Sequence, residues 1–193
     1  MNRVSYTARA MSPSLADSWK FLEDSDLVAG EGEVQAALER VAQAVSAELA
    51  DAYPLVLAVM GGAVVFAGQL LPHLHFPLDF DYIHVTRYGD STAGGGVQWR
   101  VPLPAEASGR TVLVLDDILD HGETLRAIRD ALAAAGARRV LCAVLVEKEL
   151  QREKPTCAEY VGLRIPDRFV FGFGMDAKGY WRNLPEIRAI KGM

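Results

Sequence analysis

The chain has 193 residues, half of them apolar, enough for one compact domain with a full core and too few for a second. Its 20 Lys and Arg against 25 Asp and Glu leave a formal charge of −5, with no block of consecutive basic residues, so broad binding to nucleic acid or to an acidic membrane is disfavoured. No basic start leads into a long apolar run, and no apolar run reaches membrane-spanning length, which predicts a soluble cytoplasmic protein.

Residues 1 to about 26 mix Ser, Asp, Ala and aromatics without sustained periodicity, which predicts an N-terminal arm or surface cover. From Glu33 to about Asp51, the positions Val34, Leu38, Val41, Val45 and Leu49 share one helical face opposite Glu39, Arg40, Gln43 and Glu48. Leu55 to Val59 is a short buried strand after Pro54, and Gly61-Gly62 leads into a helix carrying Val64, Val65, Ala67, Leu70 and Leu71. Glycines between a strand and a helix start suit a phosphate, although tight turns use glycine for steric reasons alone. His73 and His75 have no third ligand nearby in sequence and read as surface histidines rather than a metal pair. Leu78 to Thr86 alternates as a strand. The polar, glycine-dense run from Arg87 to Gly96 cannot bury a core and reads as a hairpin tip or lid over residues 87–97, with Gln98 to Leu103 returning.

The most informative stretch is Val112-Leu113-Val114-Leu115-Asp116-Asp117-Ile118-Leu119-Asp120-His121-Gly122-Glu123-Thr124-Leu125. Four apolar residues form a buried strand, two carboxylates end it, and a tight loop follows. Leu125, Ile128, Leu132 and Ala135 then fall at helical spacing, with Gly136 placed to stop the helix. Acids after a strand also occur as helix caps or solvated turns. Neighbouring carboxylates repel each other, however, unless a cation or hydroxyl donors sit between them, and Asp120 adds a third acid. The helix N-terminus beside them offers unpaired N–H groups and partial positive charge, a cradle for phosphate. The corner therefore predicts a phosphorylated sugar, with the carboxylates holding ribose hydroxyls or magnesium.

Arg139 to Val146 is the next buried strand, ending in Glu147-Lys148; a lysine there is commonly a solvated edge charge. Cys157 to Gly162 reads as a further strand. Cys142 and Cys157 show no ligand spacing and read as small buried apolar residues. The aromatics of Phe169-Val170-Phe171-Gly172-Phe173 suit a core as well as a site.

Leu115 to Thr124 resembles the phosphoribosyl-diphosphate (PRPP) loop of the type I phosphoribosyltransferases, within which the chain is most similar to the hypoxanthine-guanine group. Ile165-Pro166-Asp167-Arg168-Phe169-Val170 resembles that group's purine segment, and Tyr180-Trp181-Arg182-Asn183-Leu184-Pro185 its closing stretch; matches run from about Glu31 to Ile190. The resemblance implies an α/β fold, a central parallel β-sheet flanked by helices with a small hood and a flexible loop. It also implies transfer of 5-phosphoribosyl from PRPP to a 6-oxopurine, hypoxanthine or guanine, giving IMP or GMP and pyrophosphate, with Mg2+.

By that correspondence Asp116, Asp117, Asp120, His121, Gly122, Glu123, Thr124, Met60, Gly61 and Arg182 bind PRPP, and Asp120 is the catalytic base. Lys148 donates to the purine 6-oxygen, Phe169 stacks on the ring, and the Val170 backbone meets the base edge. Asp116, Asp117 and Asp176 serve the metal. Arg87-Tyr88-Gly89 belongs to the closing loop, a cis peptide maps to Val59-Met60, and a homodimer or homotetramer is expected. Met60, Arg87, His121 and Glu123 stand where the family commonly has Lys, Ser, Thr and Lys. Two other readings stay open: the same sugar site serving xanthine or a pyrimidine, and a non-catalytic regulator binding nucleotide or RNA.

Overall fold

The computed structural model describes residues 14–87 and 97–192, the side chain of Arg87 excepted. Tyr88 and Gly89, expected in the closing loop, lie outside the described residues.

The first element departs from the expectation of an unpatterned arm. Leu15–Glu23 is a helix, α1, started by a capping box: the Ser14 side chain accepts from the Asp17 N–H, and the Asp17 carboxylate accepts from the Ser14 N–H. The strand β1, Ser25–Ala29, follows it. The signal was the Ser-x-x-Asp spacing, present in the sequence but too short to register as apolar periodicity.

Glu31–Leu49 forms α2, its buried face made of Val34, Leu38, Val41, Val45 and Leu49 as the spacing predicts. Five strands then share a sheet with their parallel neighbours: β2, Leu55–Met60; β3, Asp79–Arg87; β5, Thr111–Leu119; β6, Arg139–Glu149; and β7, Tyr160–Pro166. An antiparallel edge strand, β4, Val97–Val101, completes the order β4-β3-β2-β5-β6-β7. The helices α3, Val64–Leu70, and α4, Glu123–Ala134, follow β2 and β5. Two short strands near the C-terminus, β8, Val170–Phe171, and β9, Ile187–Ile190, join β1 in a separate sheet ordered β1-β9-β8, which is the hood.

Both faces of the main sheet are covered. Along β5, Leu113 and Leu115 belong to the core cluster that α2 and α3 complete, while Val112 and Val114 belong to the one completed by Ile128 and Leu132 of α4. Burial on both sides explains why the strand reads as an unbroken apolar run rather than an alternation.

Two boundaries shift. The last strand of the sheet spans Tyr160–Pro166, not Cys157 to Gly162, so Cys157 lies before it and is exposed, against the expectation of burial. Cys142, inside β6, is buried, and burial pushes its thiol up to about 12. β5 also runs on through Asp116 and Asp117 to Leu119, because β6 keeps pairing with it as far as Glu147 opposite Leu119, whereas its pairing with β2 ends at Leu115.

Gly162 sits where β7 crosses close to β6: a Cβ there would lie 2.6 Å from the Leu145 carbonyl oxygen. Gly162→Ala is expected to lower unfolding free energy by about 1–3 kcal/mol, read from urea denaturation of the purified chain.

Candidate active site

The sheet reverses its winding between β2 and β5. From β2 the chain moves to β3 on one side; from β5 it moves to β6 and β7 on the other. Loops leaving two such strands diverge at their carboxyl ends and open a crevice, the usual ligand position in open α/β sheets. A cleft of about 370 Å³ lies there, lined by Met60, Gly61 and Gly62 after β2, by Asp116, Asp117 and Asp120 of the acidic corner, by Gly122 and Thr124, and by Asp176 and Arg182. His84 and Thr86 of β3 line it as well, and sequence reasoning had not singled them out. Their only signal was position: His84 pairs in register with Met60.

The two loops touch through glycine. A Cβ on Gly62 would lie 1.8 Å from Asp117 Oδ2, so the Asp117 carboxylate packs directly on the Gly62 main chain. Gly174, at φ +101°, packs in turn on Gly62, where a Cβ would come within 2.0 Å of its carbonyl oxygen. The cis peptide lies at Met60–Gly61, one bond later than the Val59–Met60 expected from the resemblance.

Asp116 is buried, and its Oδ1 accepts from the Asp117 N–H at 3.0 Å. Burial raises the Asp117 carboxyl above its usual range, opposed by its hydrogen bonds, that with Asp116 foremost, and by the charge of Arg182. Gly122, at φ +87°, turns the chain so that α4 begins at Glu123, and the Arg126 N–H closes the first turn on the Gly122 carbonyl at 2.9 Å. Glu123 is exposed and, like His121, does not line the cleft. Glu123 and His121, both expected from the resemblance to bind PRPP, thus stand outside the cleft lining. His121 instead lines a neighbouring groove with Arg152 and Asp167.

Lys148 is buried at the end of β6, not solvated. Its Nζ lies 3.2 Å from Asp120 Oδ1 and 3.7 Å from Asp167 Oδ1. Asp120 Oδ1 is itself buried and makes no hydrogen bond among the described residues, so the contact with Lys148 is an ion pair of imperfect alignment. The corresponding bond from Asp120 to His121 Nδ1 is longer still, at 3.8 Å.

Arg182 donates to the Gly174 carbonyl at 2.5 Å and pairs with Asp176, whose other oxygen accepts from the Gly179 N–H at 2.7 Å. Lys148, Phe169 and Val170 do not line the same cleft. The Phe169 ring is 45% exposed, while the Val170 side chain is buried in the core, which leaves only its main chain for a ligand. Asp167, two residues before Phe169, ties this segment to Lys148 and hence to Asp120. Among the described residues no three His, Cys, Asp or Glu side chains converge on a metal-sized point, His73 and His75 included. No helix among them is long and apolar enough to cross a membrane.

Residues 30–178 match the family model of the phosphoribosyl transferase domain. The chain is 32% identical over 162 residues to the hypoxanthine-guanine phosphoribosyltransferase of Bacillus subtilis, covering 83% of this chain and 90% of that protein. A hypoxanthine phosphoribosyltransferase of Staphylococcus aureus superposes with a TM-score of 0.82 at 25% identity, over 88% of this chain and 94% of that one. A mutant hypoxanthine phosphoribosyltransferase of Trypanosoma cruzi, crystallised as a ternary substrates complex, does so with a TM-score of 0.80 at 26% identity, over 88% and 97%. With its acidic strand end, its paired glycine loop and its hood, the chain belongs to the phosphoribosyltransferase family.

Proposed function

We propose that the chain transfers the 5-phosphoribosyl group from PRPP to N9 of hypoxanthine or guanine, giving IMP or GMP and pyrophosphate. The observation that carries the choice of base is the pair Lys148 Nζ and Asp120 Oδ1, 3.2 Å apart, the latter buried without a hydrogen-bond donor among the described residues. A 6-oxopurine presents an acceptor at O6 beside N7–H, and this pair supplies a donor beside an acceptor. Adenine presents an amino donor where O6 would be, which Lys148 rejects.

The remaining roles follow from position. Asp116 and Asp117 hold the ribose hydroxyls, and the main chain from His121 to Thr124 with the Thr124 hydroxyl takes the 5-phosphate at the start of α4. Main-chain groups of Met60 and Gly61, with Arg182, meet the pyrophosphate end. Met60 brings no charge of its own. Phe169 offers its exposed ring face to the base, and the Val170 main chain meets the base edge.

Transfer breaks the bond between the anomeric carbon and the pyrophosphate oxygen and forms the bond to N9. Positive charge builds on the ribose, and the proton on N7 passes to Asp120. Lys148 Nζ stands 3.2 Å from the carboxylate that receives that proton. No covalent intermediate on the protein is needed.

The carboxylates fit magnesium held largely by its ligand. Magnesium sites are commonly built from one or two carboxylates and substrate phosphates, and Asp116, Asp117 and Asp176 supply hard oxygens along the cleft without forming a closed cage. When bound, the ion offsets charge developing on the departing pyrophosphate. The chain acts as a homodimer or homotetramer in the cytoplasm.

The test is to incubate the chain with PRPP, magnesium and each nucleobase in turn and follow nucleotide formation. Hypoxanthine and guanine are expected to react, and turnover with xanthine or uracil alone would sink the choice of base. Asp120→Asn should lower kcat roughly 100-fold while PRPP affinity, by equilibrium titration, stays nearly unchanged.

Asp117 gives a pH signature. Its folded pKa lies above the unfolded value near 3.8, so the folded state binds the extra proton and the native chain loses stability as pH rises from 3.8 through the folded pKa. Ligand-free Asp117→Asn is therefore expected to match the native urea midpoint at pH 3.5 and to exceed it at neutral pH, while losing PRPP affinity.

A further inference from the structure

Resting on the reading of Arg182 as a pyrophosphate contact, we propose that α1 is a brace for that arginine and that Trp181 is the positioning residue through which it acts. Arg182 enters the cleft from a hairpin held on its inner side by main-chain bonds, among them the Phe173 N–H to the Leu184 carbonyl at 2.9 Å and the Gly174 N–H to the Arg182 carbonyl at 2.8 Å, while the guanidinium returns to the Gly174 carbonyl and to Asp176. Its guanidinium is 44% exposed, so inner contacts alone leave it room to swing.

The outer side of the hairpin is held by the N-terminal helix. Trp181 adopts φ +63°, a left-handed conformation that a residue with a side chain keeps only when its surroundings impose it. Those surroundings are its own turn, where the Leu184 N–H donates to the Trp181 carbonyl at 3.3 Å, and α1. The Trp181 indole Nε1 donates to the Ser18 carbonyl at 2.9 Å, and its ring meets Trp19 edge-on with centroids 5.0 Å apart. One turn further, Phe21 packs on Phe171 of β8 at 5.2 Å. Past the helix, Arg188 of β9 donates to the Ser25 hydroxyl at 2.7 Å, and Arg168 pairs with Asp26 at 2.6 Å.

Both halves of the Trp19–Trp181 contact lie outside residues 30–178, the span matched by the family model. Trp19 also lies before the family matches, which begin near Glu31, whereas Trp181 sits in the closing stretch that resembles the family's. Trp181 immediately precedes Arg182, so whatever fixes its backbone at φ +63° fixes the direction in which the arginine leaves the chain. A displacement of about 1 Å at such a group can cost up to 100-fold in rate.

The contact carries its own reporter, since two of the three tryptophans of the chain form it. Native protein, Trp19→Ala and Trp181→Phe are titrated with inorganic pyrophosphate in excess MgCl2, following indole emission and, independently, equilibrium dialysis. Native emission is expected to change on binding. Both variants should raise the pyrophosphate Kd and the KM for PRPP roughly tenfold while the KM for hypoxanthine stays as in the native chain. A merely structural role would lower thermal stability and leave that split absent. Variants that bind pyrophosphate as tightly as the native chain, or that weaken PRPP and hypoxanthine alike, would overturn the brace and leave the transferase reading standing. A native chain that binds neither pyrophosphate nor PRPP would overturn both.

Discussion

The Asp117 carboxylate rests on the bare main chain of Gly62, closer than any Cβ would permit, and this contact holds the cleft at its width. It joins the acidic end of β5 to the glycine loop after β2, the two strands at which the sheet changes winding direction. Gly174 packs on the Gly62 carbonyl, so the loop carrying Asp176 and leading to Arg182 is registered against the same residue. Three segments far apart in sequence converge on one glycine, and a methyl group there would force at least one of them away. The cost of the arrangement is electrostatic: Asp117 is desolvated, and its carboxyl titrates above the usual range.

Charge in and beside the cleft is disposed in pairs that a ligand can exchange. Lys148 stands between Asp120 and Asp167, and Arg182 stands against Asp176. None of these pairs is sealed. Among the described residues Asp120 Oδ1 lacks a hydrogen-bond donor, and both Arg182 and Asp176 keep solvent exposure. Buried ion pairs seldom add much to stability, because desolvation offsets their attraction, so their value here lies in holding a donor and an acceptor at a set spacing. That spacing matches adjacent donor and acceptor groups on one edge of a flat heterocycle.

The hood and the N-terminal segment form one structural unit although they occupy opposite ends of the chain. β1 pairs with β9 from Ser25 opposite Ile190 to Ala29 opposite Ile187, and α1 continues the same union through its aromatics. Phe169 and Arg182, proposed to meet the base and the pyrophosphate, both hang from this unit, while the acidic corner belongs to the main sheet. The site is a seam between two sheets.

Much of this was legible without coordinates. The helix of Glu31–Leu49 follows from spacing, the buried strands from unbroken apolar runs, and the acidic corner from carboxylates that need a partner. These are local or near-local properties, since periodicity and charge repulsion act between residues close in sequence. The limits of β5 and β7 and the exposure of Cys157 were not legible, because each depends on what packs alongside, and the helix from Leu15 to Glu23 left only the local trace of its Ser-x-x-Asp start. Sequence alone determined that an acidic strand end meets a helix start. Only the tertiary structure decided that Gly62 lies against Asp117, that Lys148 reaches Asp120, and that Trp19 meets Trp181, since each contact joins segments that chain connectivity leaves free and only packing brings together.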